Sequence, residues 1–183
     1  VAVNVSSPNT PNLRRLQQAE YLQPILESLI EQRDALRHRL SRPVPLLLKV
    51  SPDLSADELG ALAQLLLRMS VDGVIATNTT ITRPSWSEGT GEPSSFDAEE
   101  GGLSGAPLRP LALHTIRALR AALGPHLTII GVGGISSGAD ALAALDAGAD
   151  LIQIYPGLIY RGPALIREIF AAIDAAGDSH RSA

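Results

Sequence analysis

The stretch "PLLLKVSPDLSADE", residues 45–58, runs from an apolar strand pattern through a single lysine into a helix start. Leu46, Leu47 and Leu48 followed by Lys49 and Val50 read as a strand that is apolar nearly throughout, the mark of a parallel sheet covered by helices. Ser55 and Glu58, at the head of the next apolar periodic run, have the spacing of a capping box. The stretch is one strand–loop–helix unit. Its polar residues gather where the strand ends, and Lys49 is the only lysine in the chain, the other fourteen cationic residues being arginine.

The same unit recurs. Strand patterns fall at "VAVNV" (1–5), 45–50, "DGVIATN" (72–78), "LTIIGV" (127–132) and "DLIQIY" (150–155), and helical patterns at roughly 20–40, 55–69, 107–123, 137–147 and 162–175. In "DAGAD" the fourth helix ends at Gly148, as a C-terminal glycine should. Loop 79–106, rich in Ser, Gly, Pro and Glu, is too long for a plain connection and reads as a lid or binding loop. A parallel sheet of this kind is either doubly wound or a (β/α)8 barrel. Asn4, Lys49, Thr77 with Asn78, Gly133 with Gly134, and Tyr155 all stand at the C-terminal ends of their strands, the edge on which barrel enzymes build their sites. The expectation is therefore an α/β fold, a (β/α)8 TIM barrel of which this chain carries about five βα units. Five strands alone would expose two sheet edges, so three further units are expected upstream of residue 1.

Composition narrows the function classes. At 183 residues, 45% hydrophobic and 19% charged, the chain suits one globular domain with a sizeable core. A net charge of −4 offers no basic stripe to neutralise phosphates, which argues against nucleic acid as the main partner. There is no cysteine, hence neither a disulfide framework nor a thiolate metal site. His38, His114, His126 and His180 lack metal-ligand spacing and read as surface or structural, with no metal expected. "DAEEGG" (97–102) reads as a solvated charge run.

Three polar clusters remain. Strand alternation puts Lys49 and Leu47 on one face and Leu48 and Val50 on the other, so that in a barrel Lys49 points into the mouth. It could snorkel off the strand end, form a Schiff base as barrel aldolases do, or be a fixed positive charge for an anionic ligand or reduced cofactor. "NVSSPNTPNLRRLQ" (4–17) crowds Asn4, Ser6, Ser7, Asn9 and Thr10 around Pro8. This is either turn chemistry or a hydroxyl poised over a substrate beside amides that bind it. "ATNTT" (76–80) runs from an apolar strand straight into hydroxyl and amide side chains and reads as a site. "GVGGI" (131–135), followed by "SSGADA", puts bare N–H groups at a helix N-terminus, which suits a phosphate.

Together, "NVSSPNTPNLRRLQ", "LLLKVSPDLS", "DGVIATNTT", "GGLSGAPL", "IIGVGGISSGADA" and "LIQIYPGLIYRGP" resemble, in order, the C-terminal part of the dihydroorotate dehydrogenase barrel, strands four to eight. The resemblance implies that residues 1–183 are the C-terminal portion of a single FMN-binding barrel domain. It implies oxidation of dihydroorotate to orotate in pyrimidine biosynthesis, with hydride passing to FMN. Serine at position 7, where class 1 enzymes carry cysteine, implies class 2, whose electrons go on to a quinone. By the same resemblance Ser7 is the catalytic base, Asn4, Asn9, Asn78 and Thr79 bind substrate, and Thr10 belongs to the proton exit path. Asn4, Lys49, Thr77, Gly105, Gly133, Gly134, Tyr155 and Pro156 fall at the flavin, with Lys49 near its N1–O2 edge. Pro156 departs from the family's Ser or Thr and removes one backbone donor and one hydroxyl from the phosphate site. The resemblance further implies peripheral contact with the cytoplasmic face of the inner membrane, if the source is bacterial, through an N-terminal segment that this chain lacks. Without that segment the chain alone is expected to be inactive. A Schiff-base lyase using Lys49, or a non-catalytic flavin-binding fragment, are the alternatives.

Overall fold

The computed structural model describes residues 1–37, 39, 42–83 and 100–181. His38, the side chain of His180, residues 84–99 of the expected lid loop and the start of the 97–102 charge run lie outside what is described. Strands β1 (Ala2–Asn4), β2 (Leu47–Val50), β3 (Gly73–Ala76), β4 (Thr128–Gly131) and β5 (Leu151–Ile152) form one parallel sheet in sequence order. Between and after them run α1 (Ala19–Arg37), α2 (Ala56–Arg68), α3 (Arg109–Leu123), α4 (Gly138–Asp146), α5 (Pro156–Arg161) and α6 (Ala164–Arg181). Among the described strands the order never reverses, so there is no switch point of the doubly wound kind. Successive right-handed crossovers in one direction put every helix on the same side of the sheet, which is the wall of a (β/α) barrel.

Register and burial agree. Leu48, Val74 and Ile129 are lateral neighbours and are fully buried among Leu62, Leu65 and Leu66 of α2 and Ile116 and Leu119 of α3. Burying each such side chain stabilises the fold by about 1.5–3 kcal/mol. On the other face Leu47 and Lys49 are half-buried and Leu151 is 55% exposed. The alternation read from "LLLKV" is thus the one observed.

Helix ends follow their local chemistry. Ser55 Oγ accepts the Glu58 amide at 3.3 Å and Glu58 returns a carboxylate to the Ser55 amide at 2.8 Å, closing the capping box of α2. Gly148, at φ +109°, donates to the Leu145 carbonyl just past α4. Two elements differ from the sequence pattern. The strand read over 72–78 stops at Ala76, and Thr77 and Asn78 belong to the loop above it. The segment read as a strand to Tyr155 and a helix from 162 is instead a two-residue strand, then α5, then α6. Tyr155 caps α5, Pro156 occupies its first position, and Gly162 at φ +63° breaks it from α6. Proline belongs at that first helical position and glycine just past the end.

At the N-terminal ends of the strands charges are paired off. Asp72 accepts the Leu46 amide at 2.7 Å and pairs with Arg33 at 3.2 Å. Asp150 does the same for the Ile129 amide at 2.7 Å and for Arg120 at 2.5 Å.

Candidate active site at the C-terminal ends of the strands

The loops after β1 and β3 meet through two side-chain amides. Asn4 Oδ1 accepts from the Ser6 amide (3.2 Å), the Ser6 hydroxyl (2.9 Å) and Asn78 Nδ2 (3.2 Å). Asn78 Nδ2 also donates to Ser6 Oγ at 3.0 Å, while the Thr79 amide donates to Asn78 Oδ1 at 2.8 Å. Both amides are therefore fixed in orientation, with fully buried Ser6 as the peg between them. Ser7 is half-buried beside them. Its Oγ accepts the Asn9 amide at 3.3 Å, leaving its own proton uncommitted among the described residues.

Below this layer Arg14 pairs with Asp53 at 2.8 Å and donates to the Thr79 carbonyl at 3.2 Å. Asp53 in turn accepts the Thr80 hydroxyl and the Ile81 amide. The Gln17 side chain accepts the Ser51 amide at 2.8 Å.

Beside the amide cluster a cavity of about 540 Å³ opens over the ends of β2 to β5. That is within the ordinary range for a small-molecule or cofactor site. Lys49, Thr77, Gly105, Gly133, Gly134 and Arg161 are among its walls. Lys49 has neither an ion pair nor a hydrogen bond among the described residues, and burial pulls its pKa below the usual lysine value. An unneutralised cation in a partly dry cavity favours an anionic occupant.

Two helix N-termini border the cavity, and carboxylates already crowd that of α4. At α4 the Ser137 hydroxyl takes the Asp140 amide (3.1 Å), Glu168 takes the Gly138 amide (2.9 Å), and Asp140 takes the amide and hydroxyl of Ser136, each at 3.0 Å. Burial pushes the Asp140 carboxyl up, but hydrogen bonds from Ser136 and Ser137 and the charge of Arg109 outweigh it, leaving the group below its usual range. The Gly138 amide and Arg161 likewise hold Glu168 down. Two carboxylates held in their charged form sit at the start of α4, so its Gly138 and Asp140 amides are not bare as the sequence suggests. Beside the cavity, the amides of Gly133, Gly134 and Gly157 are among those with no protein acceptor among the described residues. Pro156 brings no N–H, and Leu158 N–H is spent on the Tyr155 carbonyl at 3.1 Å, so Gly157 carries the donor of α5 that remains. Gly157 packs so closely under the Ile135 carbonyl that a Cβ there would lie 2.3 Å from that oxygen.

One edge of the parallel sheet thus carries an unpaired lysine, unaccepted amides and fixed side-chain amides among the described residues. The model of the family described as dihydroorotate dehydrogenase matches residues 1–176. The chain belongs to the dihydroorotate dehydrogenase family. Among curated relatives, the "Dihydroorotate dehydrogenase (quinone)" of Cupriavidus pinatubonensis is 51% identical over 175 residues, covering 96% of this chain and 49% of the relative. That of Herminiimonas arsenicoxydans is 52% identical over the same coverage. The crystal structure of DHODH from Eimeria tenella in complex with ferulenol aligns with TM-score 0.87 at 32% identity over 96% of this chain and 50% of its own. The ligand-free Eimeria tenella structure aligns with TM-score 0.82 at 34% identity over 92% of this chain and 49% of its own. The chain spans about half the length of the curated relatives it matches.

In this member of the family the residues singled out from sequence divide into two groups. Lys49, Thr77, Asn78, Thr79, Gly105, Gly133, Gly134, Tyr155 and Pro156 line the cavity. Asn4, Ser7, Asn9 and Thr10 lie outside its walls in the adjoining loop, joined to it through the Asn4–Asn78 hydrogen bond. His114 and His126 are both exposed. Arg14, Asp53, Gly157 and Arg161 belong to the site without being singled out by the sequence pattern. Pro156 and Gly162 bracketing "GLIYR" are the start and stop signals that mark α5. No local signal marks Arg14 or Asp53, whose partners lie in other loops.

Proposed function

We propose that the protein to which this chain belongs oxidises dihydroorotate to orotate in pyrimidine biosynthesis, with FMN as hydride acceptor and a quinone as the final oxidant. The observation that carries this reading is the coexistence, in one cavity, of an unpaired lysine and the unpaired amides of Gly133, Gly134 and Gly157. A flavin nucleotide needs both: a cation for its ring and donors for its phosphate. The chain is proposed to be the C-terminal portion, strands four to eight, of one barrel domain. The whole protein is proposed to sit peripherally on the cytoplasmic face of the inner membrane, through a segment outside this chain.

The residues fit that cofactor. Lys49, Thr77, Gly105 and Asn4 would hold the ring end; Gly133, Gly134, Gly157 and the start of α5, with Tyr155 and Pro156 beside it, would hold the phosphate. Bound FMN would supply the acceptor for the hydride leaving C6 of dihydroorotate. Ser7 takes the C5 proton at its Oγ, and exposed Thr10 lies on the proton's way out. Asn9, Asn78 and Thr79, with Asn4, orient the substrate, Asn78 already aimed by its bonds to Asn4, Ser6 and Thr79. Lys49 offers a preorganised charge where negative charge develops, a contribution worth far more in a dry site than in water. A neutral serine hydroxyl is a poor base, so proton removal must be assisted by hydride departure.

The test is the visible spectrum of the full-length protein before and after anaerobic addition of dihydroorotate. Flavin bands that bleach support the reading, with much slower bleaching in Ser7→Ala. Flavin bands that persist overturn the substrate assignment, and a colourless protein overturns the cofactor.

A further inference from the structure

We propose that Arg14 is a positioning residue for the substrate: its guanidinium clamps the loops after β1, β2 and β3 together and so aims Asn78, without reaching the substrate itself. The inference rests on the dehydrogenase reading above.

Arg14 lies in the 3-10 turn Leu13–Gln17, on the same loop as Ser7. One arm of its fork meets Asp53, from the loop after β2, at 2.8 Å, and the other donates to the Thr79 carbonyl, after β3, at 3.2 Å. Asp53 spreads the grip by accepting the Thr80 hydroxyl, the Ile81 amide at 3.0 Å and the Thr82 hydroxyl at 3.4 Å. The Thr79 residue that Arg14 holds by its carbonyl is the one whose amide fixes Asn78 Oδ1. Asn78 then fixes Asn4. A chain of hydrogen bonds thus runs from Arg14 to the two amides of the substrate site, while Arg14 is absent from the cavity wall.

Two observations favour a geometric role over a merely stabilising one. The pair is largely desolvated, with side chains 22% and 13% exposed, and a buried ion pair is weak evidence for stability, since apolar replacements often serve as well. Moreover Arg14 Nε is buried without a partner among the described residues, so the guanidinium bears an unmade hydrogen bond there to keep its two arms in place. Only a planar fork reaches two acceptors in two loops. A lysine ammonium is a point charge that can keep one of them.

The experiment uses the full-length holoenzyme and its Arg14→Lys and Thr80→Val variants. Arg33→Lys serves as a control, because the Arg33–Asp72 pair lies at the opposite end of the strands. Read-outs are KM and kcat for dihydroorotate, orotate Kd from the flavin spectrum, flavin content and Tm. Arg14→Lys should raise KM and orotate Kd roughly tenfold, because sub-ångström misplacement of a binding group is costly, with flavin content unchanged. Thr80→Val should shift both in the same direction by less, and Arg33→Lys should lower Tm alone. The proposal is overturned if Arg14→Lys behaves as Arg33→Lys does, with orotate Kd unmoved, or if it loses flavin with orotate affinity intact. Should Arg14→Lys not fold, an unchanged orotate Kd in Thr80→Val overturns it just as well. A wild-type enzyme that ignores dihydroorotate overturns the dehydrogenase reading, and this proposal with it.

Discussion

The two ends of the same five strands are built on opposite rules. At the N-terminal end, Asp72 and Asp150 each take an amide of the neighbouring strand and an arginine from a helix, so the charge and the strand start satisfy each other. At the C-terminal end Lys49 has no partner among the described residues, and the Gly133, Gly134 and Gly157 amides are left without an acceptor beside the cavity. Unmade interactions cost stability, and they persist where a ligand completes them. The barrel rule that one end serves stability and the other chemistry can be read here bond by bond.

The largest effect that would break this contrast is at Lys49. Lys49→Met in the full-length protein should slow flavin reduction by dihydroorotate about 10²- to 10³-fold, while the Tm of the flavin-free form rises because a half-buried uncompensated charge is gone. Stopped-flow absorbance and calorimetry check both; a fall in Tm would mean that Lys49 is paired after all. Next is Gly134, at φ +70°, where an added methyl would lie 2.6 Å from Arg109 Cβ. Gly134→Ala should cost about 2 kcal/mol of stability, the size of a strained backbone position, and should weaken flavin retention together with it. Chemical denaturation and flavin content measure the two.

At the opposite end, Asp150→Ala strands the Ile129 amide and removes one of the partners of Arg120, and should lower the denaturant midpoint by an amount equivalent to about 1–2 kcal/mol. KM for dihydroorotate should not move. A changed KM would show that the two ends are coupled rather than separate. The smallest effect concerns pH. Asp140 has a folded-state pKa below its unfolded value, so its contribution is fully present above the ordinary aspartate pKa and is lost as pH falls through the lowered folded value. Unfolding free energy measured against pH should therefore decline across the acidic range in the wild type and less steeply in Asp140→Asn.

Much of this architecture is legible in short stretches of chain. Leu46 to Val50 encode both the strand and its burial, because a side-chain period of two can match the two faces of a sheet in one way. Ser55 and Glu58 close a capping box within one turn, and Gly148 ends a helix locally. The exception among local signals is α5. "YPGLIYRGP" reads as strand end and loop, although Pro156 and Gly162 are its brackets, because the apolar run beginning at Leu151 matches a longer strand as well as it matches a short helix.

Patterns within a few residues account for the parallel strands, for the helices that cover one face, and for the collection of Lys49, Asn78, Gly133 and Gly134 on one edge. Which of those groups are free is set instead by packing between distant segments. Glu168 reaches the start of α4 from α6 and takes its Gly138 amide, while the Gly157 amide of α5 has no acceptor among the described residues. Arg14 finds Thr79 across 65 positions of chain. Periodicity specifies which side of an element faces the core, but whether a polar group in a loop is satisfied depends on what the folded sheet brings opposite it.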